Sequence, residues 1–383
     1  MLTRRQFVNG FAAASLARIQ LFEGAALADE APESLIATLE PLRKQGDLPA
    51  LAAVVWKNGK VVGSGATGFR KYGDPIRVTL KDQFHLGSCT KAMTATLCGI
   101  LQEEGKVDWS TTLATAFPDL AYKMQPSFRS VTLDHLLSHR SGFSEVTAGK
   151  NMSLQVLHNL PGSTRKQRET YLVQILSENP IAMPGEKYVY SNRNFIAAGA
   201  ILERVANSSW EELIARRLFK PLGMKSAGFG AMGTPGKTDQ PWQHILDKQG
   251  ERRLVEPGPH SDNPPLLGPA GTVHCSLEDW GLFVTDHIRG LRGEKGIMKR
   301  ETYDHLHKPL FGGDYAGGWI ATDRGWGGGR VYTHSGSNTQ NFAVVWMAPI
   351  KNFAVLIATN QGGDSSAPTC DKVAGALIQR YLS

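Results

Sequence analysis

The sequence predicts an α+β fold, an α/β sandwich in which helices flank an antiparallel β-sheet and a mainly helical lobe is inserted in mid-chain. Two hairpin patterns are the basis of this prediction. Residues 51–62 are predicted to form two apolar strands on either side of Asn58-Gly59, a dipeptide that favours tight hairpin turns. Residues 342–348 and 353–359 form a second pair of apolar strands. Because the hairpins lie near opposite ends of the chain, we expect both ends to contribute to one sheet.

Most of the predicted helices lie between the two hairpins. The segments with helical character are about 32–45, 88–104, 132–138, 166–178, 194–206, 209–219, 277–288 and 367–381. Residues 225–272 are rich in Gly and Pro, which predicts a long loop region. We therefore expect an α/β part at about 29–110 and 266–383, a helical lobe at about 111–265, and an active-site cleft between them.

The composition indicates an ordinary globular protein. Of 383 residues, 41% are hydrophobic and 20% are charged, as in soluble domains. The sequence contains no run of 18 apolar residues that would predict a membrane-spanning helix, so we expect no stable membrane insertion after removal of an export signal. The formal charge is +7, but no dense Lys/Arg run or nucleic-acid-binding motif accompanies it. We expect a monomer with no nucleic-acid partner.

The first 28 residues resemble a bacterial export signal. Arg4-Arg5 forms a twin-arginine-like pattern, a modestly apolar stretch follows, and Ala-Leu-Ala at 26–28 fits a cleavage site. The pattern predicts a signal peptide at 1–28, a mature domain at 29–383, and a periplasmic or secreted protein. Two charged residues interrupt the apolar stretch, which leaves open an amphipathic helix that stays attached.

Ser88-Cys89-Thr90-Lys91 is the first of three motifs that indicate chemistry. A small, apolar helix is predicted to begin at the serine, so Ser88 and Lys91 share one helical face. A serine hydroxyl is a weak nucleophile until an adjacent base takes its proton, and a lysine can be that base only if its pKa falls from about 10.4. The alternative is an N-cap serine followed by a surface lysine. A second Ser-x-x-Lys at 163–166 lies in a polar stretch, and we interpret it as solvated surface.

Two later segments supply candidate partners for this serine. Tyr190-Ser191-Asn192 lies between a turn signal and an apolar helix, and His334-Ser335-Gly336 lies between two strands. Taken alone, each has a structural explanation: a packed Tyr beside a helix-capping Asn, and a histidine at a strand end. Taken together, the motifs occupy a helix start, a loop before a helix and a strand end. Side chains at such positions can converge on one acyl-transfer site.

These motifs resemble those of the serine β-lactamase and penicillin-binding protein family. The branch they resemble contains class C β-lactamases, D,D-carboxypeptidases and esterases. The similarity runs from about residue 32 to 383 and includes residues 132–142, 184–186 and 219–224. The resemblance implies the serine β-lactamase fold, and it implies catalysis without a cofactor or a metal.

The resemblance also implies roles for the site residues. Ser88 would be the acylated nucleophile, Lys91 and Tyr190 the general base and acid, and His334 a catalytic residue on the strand that stabilises the oxyanion. The backbone N–H groups of Ser88 and Ser337, beside Gly336, would form the oxyanion hole, and Asn192 would orient the substrate amide and Lys91.

Two departures from the family pattern are informative. Class C β-lactamases have Lys-Thr-Gly where this chain has His334-Ser335-Gly336. A histidine with a pKa near 6.5 is mostly neutral at pH 7, so the fixed cation that can meet a substrate carboxylate is missing. In this family, His-x-Gly is typical of esterases, amide hydrolases and some D,D-peptidases. The second departure is Pro269, in a segment where the family often has Ala-Gly-Gly, and its role stays open.

Other kinds of site are disfavoured. The chain has neither the Gly-x-Ser-x-Gly of α/β-hydrolases nor the His-Glu-x-x-His of zinc proteases. His135 and His139 have i, i+4 spacing, which we interpret as a polar helix face rather than a metal site. Cys89 is predicted to point away from Lys91. A bond between Cys275 and Cys370 stays open, although buried free thiols are the default expectation.

The sequence therefore predicts an exported, cofactor-free serine hydrolase that forms a Ser88 acyl-enzyme. Its substrate would be a small molecule or peptide with an ester, amide or D-amino-acid peptide bond. The alternatives among enzymes are a true class C-type β-lactamase and a D,D-carboxypeptidase. The alternatives from another class are a penicillin-binding sensor and a non-catalytic scaffold.

Overall fold

An eight-stranded sheet forms the centre of the computed structural model, which describes residues 31–147, 152–247 and 249–382. The predicted signal at 1–28 lies outside these ranges. In chain order the strands are β1 (Glu33–Ser34), β2 (Ala50–Lys57), β3 (Lys60–Gly68), β4 (Phe84–His85), β5 (Gly228–Phe229), β6 (Gln243–Leu246), β7 (Arg252–Val255), β8 (Val273–Cys275), β9 (Tyr315–Ala316), β10 (Trp319–Arg324), β11 (Gly329–Ser337), β12 (Phe342–Ala348) and β13 (Phe353–Thr359).

The large sheet has the strand order β1-β3-β2-β13-β12-β11-β10-β9. β1 runs parallel to β3, and the other neighbouring strands are antiparallel. β13 pairs with β2 from Phe353↔Lys57 to Ala358↔Ala52, so strands from the two ends of the chain are direct neighbours. The predicted antiparallel sheet built by both ends is confirmed.

Helices cover the sheet and fill the middle of the chain. They are α1 (Ile36–Gln45), α2 (Thr90–Glu103), α3 (Leu113–Ala116), α4 (Leu133–Leu137), α5 (Leu154–His158), α6 (Thr164–Ser177), α7 (Asn192–Ala206), α8 (Trp210–Ile214), α9 (Lys220–Leu222), α10 (Gly268–Gly271), α11 (Leu277–Leu291), α12 (Arg300–Leu306) and α13 (Ser366–Leu382). In the described ranges, no helix is long and apolar enough to cross a bilayer. From Pro32 onward the chain packs as one compact unit, and its division into an α/β part and a helical lobe stays a prediction.

The two faces of the sheet bury two separate cores, which makes the fold a sandwich. Successive side chains of a strand point to opposite faces. In β2, Ala52 and Val54 belong to the core that includes α11, whereas Leu51 and Val55 belong to the core beneath α1 and α13. Burial on both sides explains why this strand is almost uniformly apolar.

The segment at 225–272 contains more regular structure than the predicted long loop. It holds β5, the hairpin of β6 and β7, and α10. The β6 backbone also bonds to Gln340 and Gly362 through His244. The strand sequences Gln-His-Ile-Leu and Arg-Arg-Leu-Val do not alternate apolar and polar residues, so their pattern gave no strand signal.

A buried ion-pair cluster joins α6 to the corner between α7 and α8. The Arg168 side chain is fully buried and donates to Glu203 at 2.6 Å and to Glu211 at 2.8 Å. Arg168 Nε and Nη1 make further bonds to the same two carboxylates. Ser163 is the N-cap of the same helix, and its hydroxyl accepts from the Lys166 N–H. Ser163 and Lys166 are exposed, which confirms that the second Ser-x-x-Lys is surface.

We expect Arg168→Ala to lower the free energy of unfolding by about 3–5 kcal/mol, because Glu203 would remain buried as an unpaired charge. Urea denaturation measures this loss. Arg165→Ala is the matched control, since Arg165 lies on the same helix and makes an exposed bond to Asn207; we expect a change within about 1 kcal/mol. Equal losses in the two variants would contradict the assignment.

Candidate active site

Ser88 lies in a 3₁₀ turn, Gly87–Cys89, that leads directly into α2. Eleven of the 14 residues of α2 are buried, from Thr90 to Leu101, so the helix passes through the interior. Ser88 itself is partly exposed. The turn therefore exposes part of the Ser88 side chain, whereas most of the helix that follows it is buried.

Two glycines allow this turn to pack against the end of β11. Gly87 has a φ of +49°, a conformation that favours glycine, and a Cβ there would overlap the Ser337 nitrogen. A Cβ at Gly336 would overlap the Leu86 oxygen and lie 2.6 Å from the Ser88 nitrogen. The backbone segments that carry the Ser88 and Ser337 N–H groups are thus in direct contact.

Lys91 lies one helical turn after the serine and is fully buried. Its Nζ is 3.0 Å from Ser88 Oγ, 2.8 Å from Asn192 Oδ1 and 2.7 Å from the Ala270 carbonyl oxygen. Burial lowers the Lys91 pKa from 10.5 to about 7. A neutral amine has two N–H donors and one lone pair. Since the amide and carbonyl oxygens can only accept, the lone pair is left for the Ser88 hydroxyl.

Asn192 is the first residue of α7 and Tyr190 lies two residues before it. Both side chains approach Lys91 Nζ. The Tyr190 ring centroid is 5.0 Å from Lys91 Nζ. Tyr190 is 36% exposed, but partial desolvation raises its pKa above the usual range and outweighs the opposing interaction with the Ser88 side chain, so the phenol is neutral. Asn192 accepts from Lys91 and donates to Thr147 Oγ1 at 3.1 Å. The structure therefore brings Ser88, Lys91, Tyr190 and Asn192 together.

His334 lies behind this group, in β11. It is buried, its Nδ1 is 2.6 Å from the Ser335 oxygen, and its Nε2 is 3.2 Å from the Tyr315 hydroxyl. A carbonyl can only accept, so Nδ1 carries the proton and Nε2 accepts from Tyr315. Burial, followed by the nearby Lys91 charge, lowers the His334 pKa to about 3. The imidazole is neutral, and both of its nitrogens already have protein partners.

Tyr315 and His139 are parts of the site that the sequence motifs did not indicate. α4 ends at Leu137 and His139 has a φ of +55°, so the predicted polar helix face shared with His135 is wrong. His139 is buried instead, and Nδ1 accepts from the Ser191 N–H and the Asn194 side chain. Its ring centroid is 4.4 Å from that of Tyr190. His139 therefore contacts both the start of α7 and the ring of Tyr190.

The Pro269 segment forms α10, and its packing gives the proline a role. The Pro269 carbonyl accepts from Thr94 in α2, and the next carbonyl, that of Ala270, accepts from Lys91. A Cβ at Gly199 in α7 would overlap the Pro269 ring. α10 therefore joins α2 to α7 and fixes one of the acceptors of Lys91.

The four cysteines form no disulfide, and the described residues form no metal site. All four cysteines are buried and free, as expected by default, and Cys275 and Cys370 are not paired. The Cys89 thiol faces the His334 carbonyl oxygen at 3.5 Å, and burial raises its pKa, so it is a poor nucleophile. Within the described residues, no three His, Cys, Asp or Glu side chains form a group suited to a metal ion.

This chain is similar to known proteins in sequence and in fold. Protein flp of Staphylococcus aureus strain MW2 is 20% identical over 336 residues, and the match covers 87% of this chain but 64% of that protein's length. An octameric penicillin-binding protein homologue from Pyrococcus abyssi superimposes with a TM-score of 0.75 at 24% identity, covering 90% of this chain and 77% of that one. A D-stereospecific amidohydrolase from a Streptomyces species gives 0.69 at 21% identity, with 89% and 97% covered. Both structural likenesses concern the fold.

The family is decided by a match along almost the whole chain. The sequence model of the β-lactamase family matches residues 35–377, which include every site residue described above. The chain belongs to the β-lactamase family.

Proposed function

We propose that the protein is a serine hydrolase that forms an acyl-enzyme on Ser88. The observation that carries this proposal is the set of three contacts around Lys91 Nζ, which leaves a lone pair for the Ser88 hydroxyl. With a pKa of about 7, a substantial fraction of Lys91 is neutral near neutral pH. The amine is then a base matched to its operating pH.

The proposed reaction moves one proton through two side chains. As Ser88 Oγ attacks the substrate carbonyl, its proton passes to Lys91 Nζ, and the backbone N–H groups of Ser88 and Ser337 stabilise the oxyanion. The Lys91 ammonium then returns the proton through the Tyr190 hydroxyl to the leaving group, whose bond to the acyl carbon breaks. In the second half, a water molecule attacks the acyl carbon and its proton passes to Lys91. The proton then returns through Tyr190 to Ser88 Oγ, whose bond to the acyl carbon breaks and releases the acid.

The substrate class we propose is an ester, an amide or a D-amino-acid peptide bond. His334 is neutral and both of its nitrogens are engaged, so this residue offers no cation to a substrate carboxylate. The structural likeness to a D-stereospecific amidohydrolase supports the same class. A β-lactamase or D,D-carboxypeptidase is the second candidate, supported by the family match.

Location and assembly are parts of the proposal that rest on the sequence. The twin-arginine-like segment supports export to the periplasm or medium. We retain the monomer as a prediction, which size-exclusion chromatography with light scattering tests. The Pyrococcus homologue is an octamer, and an octamer here would overturn it.

Ser88→Ala is expected to abolish both turnover and covalent labelling, because no other group replaces the nucleophile. The measurements are hydrolysis of a p-nitrophenyl ester and a chromogenic cephalosporin, together with intact mass. Ser163→Ala, in the surface Ser-x-x-Lys, is the matched control and should retain activity. A persistent adduct without turnover would favour the sensor, and neither adduct nor turnover across a panel of acyl donors would favour the scaffold.

The acylation rate is expected to rise with pH through about 7 and then level off. The sign follows from the lowered Lys91 pKa: the protonated amine below this value has no lone pair for Ser88, and the neutral amine above it does. The Tyr190 phenol, whose pKa is raised, stays neutral over this range. Single-turnover acylation by a non-ionising ester from pH 5.5 to 9 measures the profile. A flat profile would exclude Lys91 as the base.

Gly336→Ala should reduce acylation by at least about 10²-fold, the typical effect of losing one oxyanion donor. The added methyl group would overlap the Leu86 oxygen and push β11 away from the nucleophile turn. Gly325→Ala is the control, since a Cβ at that exposed position meets nothing within 4 Å. The two variants are compared by acylation rate and thermal unfolding; a Gly336→Ala protein with normal acylation would be inconsistent with the proposed oxyanion hole.

A further inference from the structure

A buried carboxylate lies between the two backbone segments that carry the proposed oxyanion donors. Asp262 belongs to the segment that precedes α10, and it is 7% exposed. Its two oxygens have different partners: Oδ2 is 2.9 Å from His85 Nε2, and Oδ1 is 2.7 Å from Asn338 Nδ2. His85 and Asn338 are 1% and 5% exposed, so all three groups are held inside the protein.

The first arm leads to the nucleophile turn. The Gly87 N–H donates to His85 Nδ1 at 3.0 Å. A ring nitrogen that accepts from a backbone N–H carries no proton, so the His85 proton is on Nε2 and is donated to Asp262. The His85 imidazole therefore links the Asp262 carboxylate to the backbone N–H of Gly87, the residue directly before Ser88.

The second arm leads to the end of β11. Asn338 follows Ser337 directly, and its amide donates to Asp262 and to Gln243 Oε1, each at 2.7 Å. The Asn338 Oδ1 accepts from the Asn341 N–H at 2.9 Å, so the orientation of the amide is fixed from both ends. The carboxylate thus also holds the residue next to the second proposed donor.

We infer that Asp262 is a positioning residue that sets the spacing of the Ser88 and Ser337 N–H groups, through His85 on one side and Asn338 on the other. This inference rests on the proposed function, since it assigns those two N–H groups to the oxyanion. Glycines at 87 and 336 allow the two segments to touch, but glycine supplies no side chain to hold them. A single anion that binds both sides supplies that restraint.

Asp262→Asn is the most informative variant, because it keeps the shape of the side chain. An amide has one acceptor oxygen, so it can retain the His85 arm or the Asn338 arm but not both. We expect acylation by p-nitrophenyl acetate to slow by about 10- to 100-fold, less than the 10²–10³-fold loss typical of a missing donor. The affinity for phenylboronic acid, whose tetrahedral adduct on Ser88 occupies the same oxyanion hole, should weaken by a similar factor.

Glu211→Gln is the matched control. Glu211 lines the same cavity of about 430 Å³ as Asp262, and the substitution again removes one acid, but its partners are Arg168 and Thr164. We expect Glu211→Gln to lower stability while leaving acylation and boronate affinity near wild type. Equal kinetic losses in the two variants, or wild-type kinetics in a folded Asp262→Asn protein, would overturn the inference.

Amide hydrogen exchange separates this inference from the proposed function. In Asp262→Asn, exchange should accelerate in peptides that cover residues 86–89 and 336–340, and neither peptide should change in Glu211→Gln. Unchanged exchange in both peptides would overturn the positioning role whatever the activity. If exchange accelerates in Asp262→Asn but the wild-type protein forms no adduct, Asp262 still links the two segments. The proposal of a serine hydrolase is then overturned.

Discussion

The burial of one amine is the constraint on which the site depends. Transferring an ammonium to a dry interior without a counter-charge is costly, and the three partners of Lys91 are a hydroxyl, an amide oxygen and a carbonyl, none of them charged. The Lys91 pKa is therefore lowered, so that the neutral amine is well populated near neutral pH. Three separate parts of the chain supply these partners: the turn before α2, the start of α7, and α10. The contacts of Lys91 therefore connect three segments that are far apart in the sequence.

Much of the fold was accessible from the sequence because its signals are local. The Asn58-Gly59 turn, the uniformly apolar strands and the apolar helix after Ser88 each follow from periodicity and turn chemistry within about a dozen residues. The prediction that both chain ends share one sheet needed only the position of the hairpins. The β6–β7 hairpin was missed because its strands are partly polar and are stabilised by contacts with residues more than 90 positions away.

The site was predictable only as far as its short motifs extend. Ser88, Lys91, Tyr190 and Asn192 were identified from spacing and context, and the structure brings them within contact of one another. His139 was misassigned because i, i+4 spacing implies one face only while the helix continues, and α4 ends two residues earlier. Tyr315 contacts His334, and Asp262 contacts His85 and Asn338. These partners are distant in sequence, so no spacing rule marks either residue. What remains unpredictable is the set of groups that hold the motif residues in place.

The adjacency of β2 and β13 has a consequence for how the chain acquires its structure. β2 lies in the interior of the sheet, yet its partner β13 is made about 300 residues later, so during synthesis one edge of β2 stays unpaired until β13 has emerged. Such distant pairing slows folding and exposes apolar strands to aggregation. We therefore expect the large sheet to close only when β13 docks beside the β2–β3 hairpin.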